Sequence, residues 1–328
     1  MLLRLLWCIA LTSGFSATAV VAWAQSSADW PSRPVSMVVP YSPGGSSELE
    51  ARLYVNKLTE IMGKPFVLDF KPGVGTVLGT NFAAKAPPDG HTIIAVTATY
   101  GGLPAAYPDL PFDPLNDLAP VAQMTSRSTV VVVSSRLPVK SLQELIAYGK
   151  SAPGKINQAT AGQGSGTHLR AEWLYKLAGV QVTYVHYKGN SQSTMLDLVA
   201  GRTDAILMLP ALAQPLAKAG KVRIIATAGD QRSSNLPDVP TVAEQGYPEF
   251  SYTAWGGILA PGRTPPAIIA RLNTELLKVA RSPDIIQKLG EDGNTMVGST
   301  PEQFRKLIAS DIGVTRRMVK ETGITPGS

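Results

Sequence analysis

The sequence predicts an α/β protein of two halves, each a mostly parallel sheet flanked by helices, with a ligand cleft between the halves. Three observations predict it. Short apolar, strand-like runs alternate with helix-like runs along nearly the whole chain, and such strands need helices on both faces of a parallel sheet. The chain opens with an export signal: Arg4 is the only charge before a long apolar run, and Ala22-Trp23-Ala24 supplies the small residues of a cleavage site. Cleavage after Ala24 leaves 304 of the 328 residues, enough for two domains at roughly 150 residues each. Thr12, Ser13, Gly14 and Ser16 interrupt the apolar run, which argues against an uncleaved membrane anchor.

The single cysteine, Cys8, lies inside that signal. Disulfides, thiolate catalysis and cysteine metal sites are therefore eliminated from the mature chain, and stability must come from a large core, which the 44% apolar composition supplies. Formal charge is +6, or +5 once Arg4 is removed. Lysines and arginines are scattered, without a dense run or interleaved aromatic residues, so nucleic acid is not the expected partner. A mild positive field favours small anions instead.

The elements follow in order. "VSMVVPY" (36–41) precedes a helix with Ala51, Val55, Leu58 and Met62 on one face. "PFVLDF" (65–70) precedes "PGVGTVLGTNFAAKA", and "TIIAVTAT" (92–99) follows. "STVVVVSS" (128–135) leads to a helix opened by the capping box Ser141 to Glu144. "KINQAT", "VTYVHY", "TDAILML" and "VRIIATA" supply further strands, and Thr241 to Glu244 forms another capping box. Thr264-Pro265 and Thr300-Pro301 each read as an N-cap with proline at the first helical position. The polar stretches 123–128 and 244–253 are the expected crossings between halves. They divide the chain into a signal (1–24), a discontinuous first domain (25–126 and 251–328) and a second domain (127–250). The cleft then lies at the carboxyl ends of the strands.

Templates for catalysis fail one by one. Ser165 in "GQGSGTH" lacks the glycine two residues before it that a nucleophile elbow requires. Leu78 stands where a dinucleotide fingerprint needs its third glycine. There is no P-loop, and His91, His168 and His186 are far apart with no metal-binding spacing, so no cofactor and no metal are expected. What remains is three glycine loops, each after a strand and before a helix. They are Ser42 to Ser47, Gly73 to Thr76, and Gly162 to His168. Glycine lets backbone approach a ligand, and hydroxyls and helix-terminal N–H groups bind carboxylate or phosphate.

"PYSPGGSSELEARL", "KPGVGTVLGTNFAAKAPPDGHTI", "GQGSGTHLRAEWL", "HYKGNSQSTMLDLVAGRTDAI", "LPDVPTVAEQGYPEF" and "AWGGILAPGRTPPAIIARLN" resemble, in order and over the whole mature chain, one receptor family. It is that of the periplasmic solute-binding receptors of tripartite tricarboxylate transporters (TctC-like, or Bug, proteins). The resemblance implies a Venus-flytrap fold without catalytic activity, in the periplasm of a Gram-negative bacterium. It implies a monomer that binds a small carboxylate (a di- or tricarboxylate, an acidic amino acid or an aromatic acid) and delivers it to the membrane components of the transporter. Alternatives are a periplasmic enzyme acting on such an acid and a ligand-sensing partner of a signalling receptor. Carried over by position, the implied ligand residues are Tyr41, Ser42, Gly44, Gly45, Ser46, Ser47 and Glu48 in the first loop, and Gly75 and Thr76 in the second. Gly164, Ser165, Thr167 and His168 follow in the third, then Tyr187 and Gly189, with Thr97, Thr99, Tyr100, Met208 and Trp255 completing the set.

Three positions depart from the family pattern: Glu48 replaces an aspartate, Thr76 a frequent glycine, and Met208 a frequent acid. The last makes the second-domain side less acidic and suits a more apolar distal end. Two glutamates beside the first loop have open roles. Glu50, three after Ser47, fits a capping box. Glu48 either turns away to serve the helix dipole or faces the cleft and accepts from a ligand.

Overall fold

The computed structural model describes residues 29–43, 46–163, 165–187, 192–233, 235–250, 252–291 and 293–324. The signal segment and Gly44, Gly45, Gly164 and Gly189 lie outside the described residues, as does the side chain of Ser46. The chain runs β1 (Val35–Val39), α1 (Ser46–Met62), β2 (Phe66–Phe70), a short 3₁₀ turn (Val74–Thr76), α2 (Val77–Ala84), β3 (Thr92–Thr97) and α3 (Thr99–Ala106). It continues through β4 (Leu118–Ser128), β5 (Val130–Ser134), α4 (Leu142–Ser151), β6 (Asn157–Thr160), α5 (Gly166–Ala178), β7 (Thr183–His186), α6 (Gln192–Ala200), β8 (Ala205–Met208), α7 (Pro210–Lys218) and β9 (Val222–Thr227). β10 (Thr253–Pro261), α8 (Pro266–Ala280), α9 (Pro283–Glu291), β11 (Thr295–Met296) and α10 (Pro301–Thr322) complete it.

Two sheets form, ordered β11-β4-β10-β3-β1-β2 and β7-β6-β8-β5-β9. Both are mixed, not mostly parallel. β1 pairs in parallel with β2 and β3, and β6 with β7 and β8, but β10 runs antiparallel to β3 and β4, and β5 antiparallel to β8 and β9. In the first sheet the departure has a physical source. β4 and β10 are long neighbours that pair from Thr253–Ser128 to Pro261–Leu118, one leading toward the second sheet and the other returning, so they must run in opposite directions.

Period-two alternation divides each strand between two apolar layers. In β1, Val35, Met37 and Val39 face a cluster with Leu58, Ile268 and Leu272, while Val38 faces Ile94, Tyr100 and Phe304 on the other side. In β5, Val131 and Val133 pack with Leu142 and Trp173, and Val130 and Val132 pack with Ile206 and Met208. α10 opens with the Thr300–Gln303 capping box and Pro301 in its first turn. Its Phe304, Ile308 and Ile312 join a core of the first sheet, and its Met318 joins a core of the second. One helix therefore spans both halves. α8 starts one residue later than expected, with Pro265 as N-cap and Pro266 first in the helix.

Candidate functional site

A cavity of about 270 Å³ lies where the two halves meet, slightly below the roughly 300–1,000 Å³ common for ligand pockets. The first half contributes Gly75, the start of α3 at Ala98 and Thr99, and the apolar Leu103 and Ala106. Opposite them stand Ser165, Leu169 and Arg170 around the start of α5, with Tyr252 before β10 and Thr315 on α10.

Backbone strain marks the first-half wall. Gly73, Val74, Gly75 and Thr76 have φ of 140°, 45°, 58° and 85°, four consecutive positive values, two of them at β-branched residues. At the non-glycine residues, Val74 and Thr76, such conformations cost about 1–3 kcal/mol each and persist only where packing over-determines them. Here the surroundings do so. A Cβ on Gly75 would lie 2.4 Å from the Tyr107 hydroxyl, Thr76 N–H donates to Gly73 O at 3.0 Å, and Thr80 Oγ1 donates to Thr76 O at 2.9 Å.

The second-half wall is relaxed. Ser165 is a regular N-cap: its Oγ accepts from His168 N–H at 3.2 Å and lies 3.1 Å from Thr167 Oγ1, which accepts from Ala161 N–H. One turn on, Arg170 is only 7% exposed. Its Nη1 donates to Gly166 O at 3.2 Å, its guanidinium lies over the Tyr252 ring with 3.2 Å from Cζ to the ring centroid, and its Nε is buried without a partner.

In the first loop, the Tyr41 hydroxyl lies 2.8 Å from Thr97 Oγ1, which donates to Thr99 Oγ1 at 3.2 Å. This hydroxyl ladder ends at the exposed Thr99 on the cavity wall. Ser47 lines a narrow crevice beside Tyr41 and Thr97, and Ser42 is exposed. Glu48 is ion-paired with Arg52, one turn along α1. The capping box expected of Glu50 gives way to a buried contact. α1 already begins at Ser46, and Glu50 Oε2 accepts from Thr125 Oγ1 at 3.1 Å while Oε1 faces Arg127 Nη2 at 3.4 Å. Glu50 thus ties α1 to β4.

Several positions expected at the ligand are instead structural. Tyr100 is 1% exposed and donates to Pro114 O at 2.6 Å. Trp255 is buried edge-on to Phe304, with Nε1 donating to Asp311 Oδ2 at 3.2 Å. Met208 is buried in the apolar layer with Val130 and Ile206. Each lies on an element whose inward face the pleat or helix turn commits to packing. Tyr187 donates to Asp197 Oδ2 at 2.6 Å, and burial followed by that carboxylate pushes its phenol up to about 12. His168 is buried with its ring edge-on to Tyr184 and His186, both 4.7 Å away between centroids, so two histidines remote in sequence are neighbours. Among the described residues, no group of three or more His, Cys, Asp or Glu side chains is placed to hold a metal ion.

Sequence reasoning missed Arg170, Tyr252, Tyr107 and Thr315. Arg170 left a signal: it stands three and four residues before Trp173 and Leu174, on the buried stripe of α5. A charge on such a stripe asks for a partner.

The family described as the tripartite tricarboxylate transporter family receptor (TctC) matches residues 51–324. This chain belongs to that family. It is 35% identical over 319 residues to Protein BugT of Bordetella pertussis, covering 96% of this chain and 97% of that one. Among similar solved structures, one from R. palustris with adipate is 32% identical, with a TM-score of 0.71 over 91% of this chain and all of that one. MatC from Rhodopseudomonas palustris with bound malate is 31% identical, with a TM-score of 0.68 over 88% of this chain and all of that one. The family is one of periplasmic solute-binding proteins, and its two-half fold is the fold found here. No helix among the described residues is long and apolar enough to cross a membrane.

Proposed function

We propose that this TctC-family protein is a periplasmic receptor that captures a small carboxylate between its halves and delivers it to the membrane components of a tripartite tricarboxylate-type transporter. It acts as a monomer without turnover, with residues 25–126 and 251–328 forming one domain and 127–250 the other. Cleavage after Ala24 releases it into the periplasm. The observation that carries the reading is the cavity, where Thr99, Ser165 and the buried Arg170 converge among apolar walls. Hydroxyls, a helix N-terminus and a desolvated guanidinium together favour a carboxylate over a neutral solute. Support from outside the chain comes from the two similar proteins that hold adipate and malate.

A thermal-shift screen over mono-, di- and tricarboxylates tests this. A ligand at 100 times its dissociation constant stabilises the fold by about 2.7 kcal/mol, which for a protein of this size is a rise of roughly 5–11 °C. Recovery of the ligand unchanged after prolonged incubation separates a receptor from an enzyme. A screen in which no carboxylate shifts the melting temperature while another ligand class does would defeat the reading.

A further inference from the structure

One buried carboxylate joins the helix of the first loop to the two strands that link the halves. Glu50, near the start of α1, is 6% exposed. Its Oε2 accepts from Thr125 Oγ1 at 3.1 Å and from the Tyr54 hydroxyl at 3.5 Å, and its Oε1 faces Arg127 Nη2 at 3.4 Å. Thr125 and Arg127 stand at the end of β4, which stops at Ser128; β5, in the second sheet, begins at Val130. On the returning β10 their partners are Gly256 and Ala254. A Cβ on Gly256 would lie 2.9 Å from Glu50 Oε2 and 2.6 Å from Thr125 Oγ1, so the carboxylate occupies room that only glycine leaves. On its other side Gly256 pairs with Thr97 of β3, the middle hydroxyl of the Tyr41–Thr97–Thr99 ladder that ends at the cavity. Directly opposed residues share one face of a sheet, so Thr125, Gly256 and Thr97 form one row on the Glu50 side. Tyr41 feels the same charge: burial above all raises its phenol, its bonds to Thr97 and Thr99 oppose this, and Glu50 adds to the rise. A buried carboxylate is costly unless its partners are fixed in place. Here β4 supplies the donors and β10 the space.

Resting on the receptor reading above, we infer that Glu50 is a positioning residue for ligand capture, with Arg127 as its counter-charge. Glu50 does not line the cavity. It ties α1, and with it Ser47 and the hydroxyl ladder, to the two strands about which the halves turn when they close on a ligand. With the tie intact, the first-half hydroxyls meet Ser165 and Arg170 at one fixed separation. Without it those hydroxyls keep their chemistry and lose their register across the cavity.

Three variants test this: Glu50→Gln, Arg127→Met, and Glu50→Leu combined with Arg127→Met. Each single change leaves one charge without its counterpart and should lower the melting temperature, whereas the apolar pair should regain it. Isothermal titration with adipate and malate, or with the strongest carboxylate of the screen if neither binds, separates position from stability. Affinity should fall about tenfold in all three variants and stay low in the stable double variant. If a single variant does not fold, the double variant decides. Affinity that returns with stability, or that stays within about twofold of wild type throughout, makes Glu50 structural only and overturns the inference, with the receptor reading left standing. Hydrogen exchange of the ligand-free protein needs no ligand. Arg127→Met, on β4, should raise exchange about tenfold at the amides of Ala51 to Tyr54 and leave Thr59 to Met62 unchanged. A uniform rise or none overturns the inference as well. A wild type that binds no carboxylate defeats the receptor reading, and exchange alone then decides whether Glu50 ties α1 to the linking strands.

Discussion

Two glycine loops with similar sequences meet the same cavity in opposite physical states. The 73–76 loop carries four consecutive positive φ values, including Val74 and Thr76. The loop before α5 ends in an ordinary N-cap, with Ser165 at φ −67° and ψ 160° and its hydroxyl on His168 N–H. Local chemistry suffices for the second. The first is held only by what surrounds it, chiefly Tyr107 against Gly75 and the bonds of Thr76. A glycine-rich loop is thus not one device. One of these is a helix start, and the other stores strain beside the ligand cavity.

The contrast predicts unequal mutational costs. Gly75→Val forces a β-branched residue into φ of 58° and drives its Cβ into Tyr107, which should cost about 3 kcal/mol of stability and abolish ligand-induced stabilisation. Urea denaturation and thermal shift with and without ligand measure both. Ser165→Ala removes a cap and one of the hydroxyls at the cavity, and should cost about 1 kcal/mol of stability, with the fold retained and the ligand response weakened but not abolished. If Ser165→Ala proved the costlier of the two, the assignment of strain would be reversed.

A smaller effect sharpens the second wall. Burial first, and the neighbouring His186 second, hold the His168 imidazole below its ordinary range, with Glu172 opposing them. The folded state then binds this proton more weakly than the unfolded chain, whose histidine titrates near about 6.5. The contribution is complete above that value and is lost as pH falls through the folded-state value. Wild type should therefore lose more stability than His168→Gln between neutral and mildly acidic pH. Denaturation midpoints at the two pH values give the difference, and equal losses would place the His168 proton outside the folding equilibrium.

The alternation of strands and helices was legible because each element carries its own period and caps. β1 and β5 divide their side chains by twos, and α10 announces itself with Thr300 and Pro301. The site was legible only in part. Thr99, Gly75 and Ser165 line the cavity, whereas Tyr100, Trp255 and Met208 are buried in the core. Side-chain direction depends on packing partners far away in sequence. Glu50 shows the same limit, since its position three after Ser47 suggests a cap while its carboxylate meets Thr125 and Arg127 on β4.

By itself, then, the sequence determined the α/β class, the succession of elements and the glycine turns, because backbone periodicity, capping and left-handed φ are local properties. Only the tertiary structure decided which charges and hydroxyls share one cavity. It set β4 against β10, laid α10 across both halves, and brought Arg170 and Tyr252 opposite Thr99. Those juxtapositions join residues scores of positions apart. They are fixed by long-range strand pairing and the burial of apolar layers, which no local stretch of chain encodes.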